Sequence, residues 1–250
     1  MSPPFTTDPL SGPRPPSYHS VSSLLDVLHQ TTLVFLEEMM DQLDRWTYET
    51  RFHSYRVSVL SQELGKRMDL TSDRLMTLRG GSLLHDVGKI RIHQDLLNKP
   101  GPLTREEWAI MRQHPGLGRS ILSRIPSLAF ASDIVYQHHE RWNGTGYPKG
   151  LKQDDILLEA RIFGMVDSYD AMISQRSYNI PKSHEEAVEE IRRNAGILFD
   201  PEVVRTFLDI PREFIDQVES VQSHKRFIQE FFDPEQYLSF LVPPGRAAEC

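Results

Sequence analysis

The hydrophobic pattern of the chain is helical from residue 21 onward. Between residues 21 and about 70 there is no proline, and apolar side chains recur at spacings of three, four or seven residues. This spacing places them near one face of a helix. The stripe comprises Leu25, Leu28, Phe35, Met39, Leu43 and Trp46. Two interpretations fit it equally: a seam between two copies of the chain, or a face that packs on its own domain.

After residue 70, helical segments alternate with short polar breaks. Thr104 with Glu107, and Ser183 with Glu186, fit the capping box that begins a helix. Asp200 before Pro201 fits an N-cap followed by proline in the first turn. The break at 143–150 has three glycines in eight residues, so its backbone can approach a ligand closely. No run alternates as a strand does, and the sequence predicts an all-α fold.

Composition narrows the classes of function. The 250 residues carry a formal net charge of -7, which argues against non-specific binding to duplex nucleic acid or to an anionic membrane. No segment approaches the roughly 20 apolar residues of a membrane span. Residues 1–20 contain six prolines and no apolar signal segment, so we expect a disordered tail and a cytoplasmic protein. Cys250 is the only cysteine, so a metal site must be free of thiolates.

Possible metal ligands are concentrated between residues 49 and 167. These residues are Glu49, His53, His85, Asp86, His114, His138, His139 and Asp167. Imidazoles and carboxylates together suit iron, manganese, zinc or nickel. Eight ligands are too many for one tetrahedral zinc ion, so we expect two or three ions. Such sites commonly activate water against a phosphoester, and the sequence therefore predicts a metallohydrolase.

Spacing suggests how the first ligands are presented. Glu49 and His53 are four residues apart on a predicted helix and share a face. Asp86 follows an apolar helix beside His85, where its carboxylate could bridge two cations. We expect His114 at the C-terminal end of the helix that Thr104 begins, where the helix dipole alone could favour a histidine.

The remaining candidates lie in the second half of the ligand region. Adjacent histidines on a helix diverge by about 100°, so His138 and His139 can face one cluster only at a helix end or with several ions. Glu140 or another acceptor could orient one of these rings through its second nitrogen. Asp167 lies in an apolar helix and needs neutralisation, while Asp170 is a candidate outer acceptor.

Four ordered motifs then carry a family resemblance. The chain resembles an HD-GYP domain, a branch of the HD metal-dependent phosphohydrolases, over about residues 45–210. The motifs are His-Asp-Val-Gly-Lys (85–89), Asn-Lys-Pro-Gly-Pro-Leu-Thr (98–104), His-His-Glu-Arg-Trp-Asn-Gly-Thr-Gly-Tyr-Pro (138–148) and Val-Asp-Ser-Tyr-Asp-Ala-Met (166–172). The resemblance implies an all-α HD-domain bundle at 49–240. A helical extension at 21–48 would precede this catalytic domain, and a tail at 241–250 would follow it.

The resemblance also implies a reaction. Members bind two or three iron or manganese ions and hydrolyse cyclic di-GMP to pGpG, in some members on to GMP. A hydroxide bridging two metals would be the nucleophile. The eight candidates match family ligands, with Asp86 as the catalytic bridge and Glu49 serving a third ion. Lys89, a candidate catalytic residue, and Arg176 match positions that approach substrate phosphate.

The name-giving triplet of the resembled family is Gly146, Tyr147 and Pro148. In the family this triplet shapes the loop beside the site and is a candidate contact for diguanylate cyclase (GGDEF) domains. Under one of the two interpretations of the apolar stripe, a second copy of the chain is a further partner, bound through the helix at 21–48.

Departures from the resembled family keep alternatives open. Asn179 stands where a phosphate-binding lysine is common, while Ser168 and Gln175 replace other usual residues. Losing the lysine charge would weaken substrate binding. The alternatives are a low-activity cyclic di-GMP receptor or partner-binding module, and an HD phosphodiesterase for another cyclic dinucleotide. Turnover by metal-loaded protein separates the receptor from the enzymes.

Overall fold

The structure is a computed structural model that describes residues 52–125, 128–174 and 180–220. Several sequence predictions lie outside the described residues. They concern the tail at 1–20, the helix at 21–48, Glu49, Gln175, Arg176, Asn179 and the tail at 241–250.

The described residues form α-helices joined by short turns, and no β-strand occurs among them. The predicted all-α class is therefore confirmed. The helices are α1 His53–Arg67, α2 Ser72–Leu84, α3 Gln94–Leu97, α4 Arg105–Met111, α5 His114–Leu122, α6 Ser132–Gln137, α7 Leu158–Ile173, α8 His184–Arg193, α9 Pro201–Leu208 and α10 Arg212–Glu219. Three 3-10 turns span Val87–Arg91, Ala129–Ala131 and Gln153–Asp155.

The centre of the fold is the packing of α1 against α2 and α7. Leu60 and Leu64 of α1, Leu78 of α2, and Phe163 and Val166 of α7 are fully or almost fully buried there. Helix α7 is apolar along most of its length because it crosses this core. A polar side chain on α7 that faces α1 is consequently held away from water and needs a partner.

The predicted helix starts agree with the structure. Glu107 accepts a hydrogen bond from the backbone nitrogen of Thr104 at 2.7 Å, and Thr104 accepts one from Glu107 at 3.3 Å. Ser183 and Glu186 form the same reciprocal pair. Asp200 accepts a bond from the backbone of Glu202 at 2.8 Å. These contacts satisfy backbone donors that lack partners in the first turn of a helix.

His114 corrects one prediction. The helix that Thr104 begins ends at Met111, and His114 is the first residue of α5. Pro115, the next residue, occupies the first turn of α5, where a missing backbone N–H costs nothing. The expectation that His114 ends a helix was therefore wrong, and Pro115 was the signal for a helix start.

Among the described helices, none is both long and apolar enough to cross a membrane.

Gly88 marks a close backbone contact between the first 3-10 turn and α5. A Cβ added there would overlap the carbonyl oxygen of His114 and lie 2.6 Å from the nitrogen of Gly118. We expect Gly88→Ala to lower the free energy of unfolding by about 1–3 kcal/mol, as overpacking does. At Gly116, the nearest atom to an added Cβ is a Tyr136 ring carbon at 3.8 Å. Gly116→Ala is the control, and equal melting temperatures for the two variants would contradict the prediction.

Candidate metal centre

The structure brings seven of the eight predicted ligand residues together in two groups and a bridge; the eighth, Glu49, lies outside the described residues. His53, His85 and Asp167 form the first trio, and His114, His138 and His139 form the second trio. Within each trio, one candidate ligand atom per residue lies within 4.8 Å of the other two. The first trio comes from α1, α7 and the end of α2; the second comes from the start of α5 and the end of α6.

Asp86 lies between the two trios. Its Oδ2 is 3.1 Å from Nε2 of His85, and its Oδ1 is 3.4 Å from Nε2 of His114. One carboxylate oxygen therefore faces each trio, the arrangement that a bridging carboxylate requires. Lys89 lies one helical turn further on, with Nζ 2.6 Å from Oδ2 of Asp86. The predicted phosphate contact thus adjoins the bridge.

Three of the histidine rings are oriented by backbone carbonyls three residues earlier. Because a carbonyl oxygen can only accept, the proton lies on Nδ1, and the lone pair of Nε2 faces the site. The three bonds run from His85 to Ser82 (2.9 Å), from His114 to Met111 (2.7 Å) and from His138 to Val135 (2.7 Å). Each accepting carbonyl lies in the last turn of a helix, where carbonyls lack partners within the helix.

The second trio has a chemical conflict that a cation would remove. Nε2 of His114 and Nε2 of His138 are 3.3 Å apart. Burial lowers the pKa of His138 well below its ordinary value and also lowers that of His114. Both rings are therefore neutral at pH 7, and two lone pairs face each other. The donor set of imidazole nitrogens and carboxylate oxygens fits a divalent transition metal.

The other ligand candidates have protonation states that favour metal binding, with one exception. Burial, reinforced by the neighbouring His114, lowers the pKa of His139 to about 3. Burial alone would raise the pKa of Asp167, but its hydrogen bond with His53 and the charge on that ring outweigh burial and lower it. His85 is the exception: burial lowers its pKa, but Asp86 outweighs burial and raises it. A metal ion at His85 would therefore compete with a proton for Nε2.

Asp170 lies behind the first trio and orients His53. Its Oδ2 is 2.8 Å from Nδ1 of His53. Arg56 donates to both carboxylate oxygens, at 2.6 and 2.8 Å, and Ser174 donates at 3.1 Å. Asp170 has no solvent exposure. Asp170 therefore occupies the position predicted for an outer acceptor. Its contact with Nδ1 leaves Nε2 of His53 directed at Asp167, 3.3 Å away.

Of the two kinds of acceptor considered for the His138 ring, the structure shows a backbone carbonyl, that of Val135, while Glu140 contacts a loop. Its carboxylate accepts hydrogen bonds from the backbone nitrogens of Lys149, at 2.7 Å, and Leu151, at 3.0 Å. It therefore ties the end of the Gly-Tyr-Pro loop to the end of α6. The sequence showed an acid beside two histidines but not that loop nitrogens would reach it.

The Gly-Tyr-Pro loop packs closely on the second trio. A Cβ added to Gly146 would lie 2.5 Å from the carbonyl oxygen of His139 and 2.5 Å from Cα of Glu140, so only glycine fits. The Tyr147 ring lies 4.7 Å from the His139 ring. Pro148, the third member of the triplet, is exposed.

A cavity of about 420 Å³ opens beside the ligands. His138, His139 and Asp167 contribute to its lining at the metal centre, and Tyr147 forms part of its wall. The lining residues that sequence reasoning missed include Trp108, Arg112, Trp142 and Arg161. For the first two a signal existed, because an aromatic residue and a cation four residues apart share one face of a helix.

Comparison with known proteins identifies the family. The sequence profile described as HD domain matches residues 35–203. The chain is 42% identical over 182 residues to a cyclic di-GMP phosphodiesterase of Thermotoga maritima, covering 72% of this chain and 50% of the relative. It is 33% identical over 201 residues to a 3'3'-cGAMP-specific phosphodiesterase of Vibrio cholerae, covering 80% of this chain and 38% of the relative. The chain belongs to the HD domain family, and its Gly146-Tyr147-Pro148 motif places it in the HD-GYP branch.

The fold agrees with this assignment. A crystal structure of a cyclic GMP-AMP-specific phosphodiesterase of V. cholerae superposes with a TM-score of 0.64 at 18% identity, covering 82% of this chain and 54% of that one. This likeness concerns the fold alone. The chain spans half the length of the Thermotoga relative and 38% of the length of the Vibrio relative.

Proposed function

We propose that this chain is a metal-dependent phosphodiesterase that hydrolyses cyclic di-GMP to pGpG. The observation that carries the proposal is the position of Asp86, with one carboxylate oxygen facing each of two ligand trios. Two adjacent cation sites suit in-line displacement at phosphorus, because the attacking and leaving oxygens both need stabilisation. The names of the relatives, which include cyclic di-GMP phosphodiesterases, support the substrate.

The protein residues have separate tasks in this proposal. When bound, divalent ions supply Lewis acidity and a nucleophile derived from water near neutral pH. The two trios would hold the ions, with Asp86 between them. Lys89, kept beside Asp86 by its 2.6 Å contact, donates to a phosphoryl oxygen. Tyr147 closes the cavity over His139 and limits the access of bulk water.

Two further roles concern residues outside the described ranges. We propose that Glu49 serves a third ion, since it lies four residues before His53 in the sequence. We propose that Arg176 binds substrate phosphate, because its planar guanidinium matches phosphate oxygens. Iron or manganese is the proposed metal, in keeping with a donor set of imidazoles and carboxylates without thiolate.

The test is hydrolysis by protein loaded with iron(II) or manganese(II) without oxygen. Cyclic di-GMP is incubated with the metallated protein, and products are separated by chromatography. We expect pGpG to appear with either metal and to be abolished by a chelator. Metallated protein that binds cyclic di-GMP and releases it unchanged would contradict the proposal and identify a receptor.

A second substrate needs a parallel assay. The Vibrio relative named as 3'3'-cGAMP-specific is 33% identical over 80% of this chain, which makes 3'3'-cGAMP the second candidate. Comparing kcat/KM for the two cyclic dinucleotides decides the preference. We expect the higher value for cyclic di-GMP, and a higher value for 3'3'-cGAMP would reassign the substrate while leaving the reaction unchanged.

The proposed organisation comprises a catalytic domain at 49–240 and a helix at 21–48 that joins two copies. Placing a charge in the apolar stripe, as in Phe35→Glu, should convert a dimer into a monomer, which light scattering would measure. Contact between the Gly146-Tyr147-Pro148 loop and a GGDEF domain is the other proposed interaction.

A further inference from the structure

In the part of the chain that the structure describes, one arginine of the cavity lies against aromatic rings without the ion pairs that hold two comparable arginines, Arg161 and Arg119. Arg161 packs over the Trp142 ring at 5.6 Å and forms ion pairs with Asp154 and Asp200. That arginine ties three segments together, so its stack has a structural explanation. Arg119 packs over Tyr136 at 4.7 Å outside the cavity and is paired with Asp133 at 2.8 Å.

Arg112 is different. Its guanidinium lies 5.3 Å from the Tyr147 ring centre and 6.0 Å from the Trp108 ring centre. Within the described ranges no carboxylate lies at ion-pair distance from it, and its side chain is exposed. We call Trp108, Arg112 and Tyr147 the stacked wall; all three line the cavity. A cation that lies beside two aromatic rings and has no counter-charge among the described residues is suited to an anionic ligand.

The stacked wall is continuous with the metal centre. The Tyr147 ring lies 4.7 Å from the ring of His139 in the second trio. Planar groups therefore follow one another from His139 through Tyr147 and Arg112 to Trp108 at the surface. Trp108 is 46% exposed, although an indole would gain by burial. A ligand that reaches from the metal centre along this wall would cover it.

A purine nucleotide has both features that the wall complements. Its base offers a planar face for stacking on an indole, and its phosphate offers a charge for the guanidinium. The chain as a whole is acidic, with a formal charge of -7. Arg112 has no carboxylate partner among the described residues, so its charge favours an anion at this part of the cavity.

We propose that Trp108 and Arg112 form a subsite for one nucleotide unit of the cyclic dinucleotide. Trp108 stacks on the base, and Arg112 contacts the phosphate beside it. This inference rests on the proposed function, because it places the phosphodiester under attack at the two trios and the base along the wall. Both residues bind substrate without touching the reacting atoms, so they govern KM rather than kcat.

The test compares matched variants on two substrates. Trp108→Ala should raise KM for cyclic di-GMP about tenfold, since stacking on one base is worth about 1–3 kcal/mol and 1.4 kcal/mol is tenfold. Trp108→Phe should restore most of the affinity. Ile110→Ala is the control. Ile110 lies on the same helix, α4, and is also 46% exposed, but it does not line the cavity. Arg112→Ala should raise KM similarly, while Arg119→Ala should not.

A small phosphodiester without a purine provides the second readout. Hydrolysis of methyl p-nitrophenyl phosphate should be equal in wild type, Trp108→Ala and Arg112→Ala, because the trios are unchanged. A uniform loss on both substrates would indicate a merely structural role and overturn the subsite. Unchanged KM for cyclic di-GMP in both variants would also overturn it, with the proposed function intact.

If the wild type cleaves no cyclic dinucleotide, the proposed function fails separately. Calorimetric titration with cyclic di-GMP then decides the subsite. Binding weakened about tenfold by Trp108→Ala and not by Ile110→Ala supports it. Equal binding by all variants, or no binding by the wild type, overturns it.

Discussion

Asp86→Asn is expected to reduce hydrolysis of cyclic di-GMP by more than about 100-fold. Loss of an outer partner of a metal ligand commonly costs 10- to 100-fold in metal affinity or activity, and Asp86 adjoins both trios directly. The amide keeps the shape of the side chain but replaces one oxygen by a donor, which faces either His85 or His114. It also removes the charge that holds Lys89 at 2.6 Å. Activity and metal content per chain are measured together.

Asp95→Asn is the matched control for that experiment. This substitution also changes a carboxylate to an amide, but the Asp95 side chain is 92% exposed. Its ion-pair partner is His93, at 3.3 Å. We expect its metal content and activity to equal those of the wild type. If Asp86→Asn retained both metals and full turnover, the bridging role would be wrong.

Asp170→Asn is expected to lower the free energy of unfolding by about 3–5 kcal/mol, the usual effect of removing one partner from a buried ion pair. Asp170 is completely buried, and the Arg56 side chain that pairs with it is 11% exposed. The substitution removes the charge of the carboxylate that Arg56 contacts and turns a donor toward either Arg56 or His53. Urea denaturation at pH 7 measures the change. The substitution should also affect metal binding, because His53 loses the carboxylate that orients its ring.

The difference between wild type and Asp170→Asn should depend on pH. Burial favours the protonated acid, but Arg56 and His53 outweigh burial and hold the pKa of Asp170 well below its ordinary value. The stabilisation is therefore complete above the unfolded-state pKa of about 4 and is lost as the pH falls toward the folded value. Asp154→Asn is the control, since Asp154 is 86% exposed beside Arg161 and such pairs contribute about 1 kcal/mol or less. A difference that stayed constant down to pH 3 would contradict the assignment.

Local sequence signals predicted most of the elements that carry the candidate ligands. Asp167 was recognisable as a candidate ligand because a carboxylate inside a hydrophobic run needs a partner. The adjacent pair His138 and His139 implied a helix end, and the structure places His138 just after the last residue of α6. Capping residues such as Thr104 and Asp200 gave helix starts because their hydrogen bonds are local.

What the sequence could not predict depends on contacts between distant segments. The direction of the Glu140 carboxylate is set by the backbone nitrogens of Lys149 and Leu151, which reach it only when the Gly-Tyr-Pro loop closes. The stacking of Arg112 on Tyr147 joins residues 35 positions apart. Periodicity describes one helix at a time and carries no information about which loop packs against it.

The hydrogen bonds from the rings of His85, His114 and His138 to backbone carbonyls restrict the lengths of the helices that precede these residues. Each ring closes the last turn of the helix before it, so the point at which α2, α4 and α6 stop is set by a side chain that also faces a trio. Inserting one residue into any of these last turns would rotate the ring by about 100° and leave a carbonyl without its donor. Insertions should be tolerated in the break at 98–104 and rejected at these three helix ends. A change in the length of any of these helices would therefore also change the geometry of the ligands.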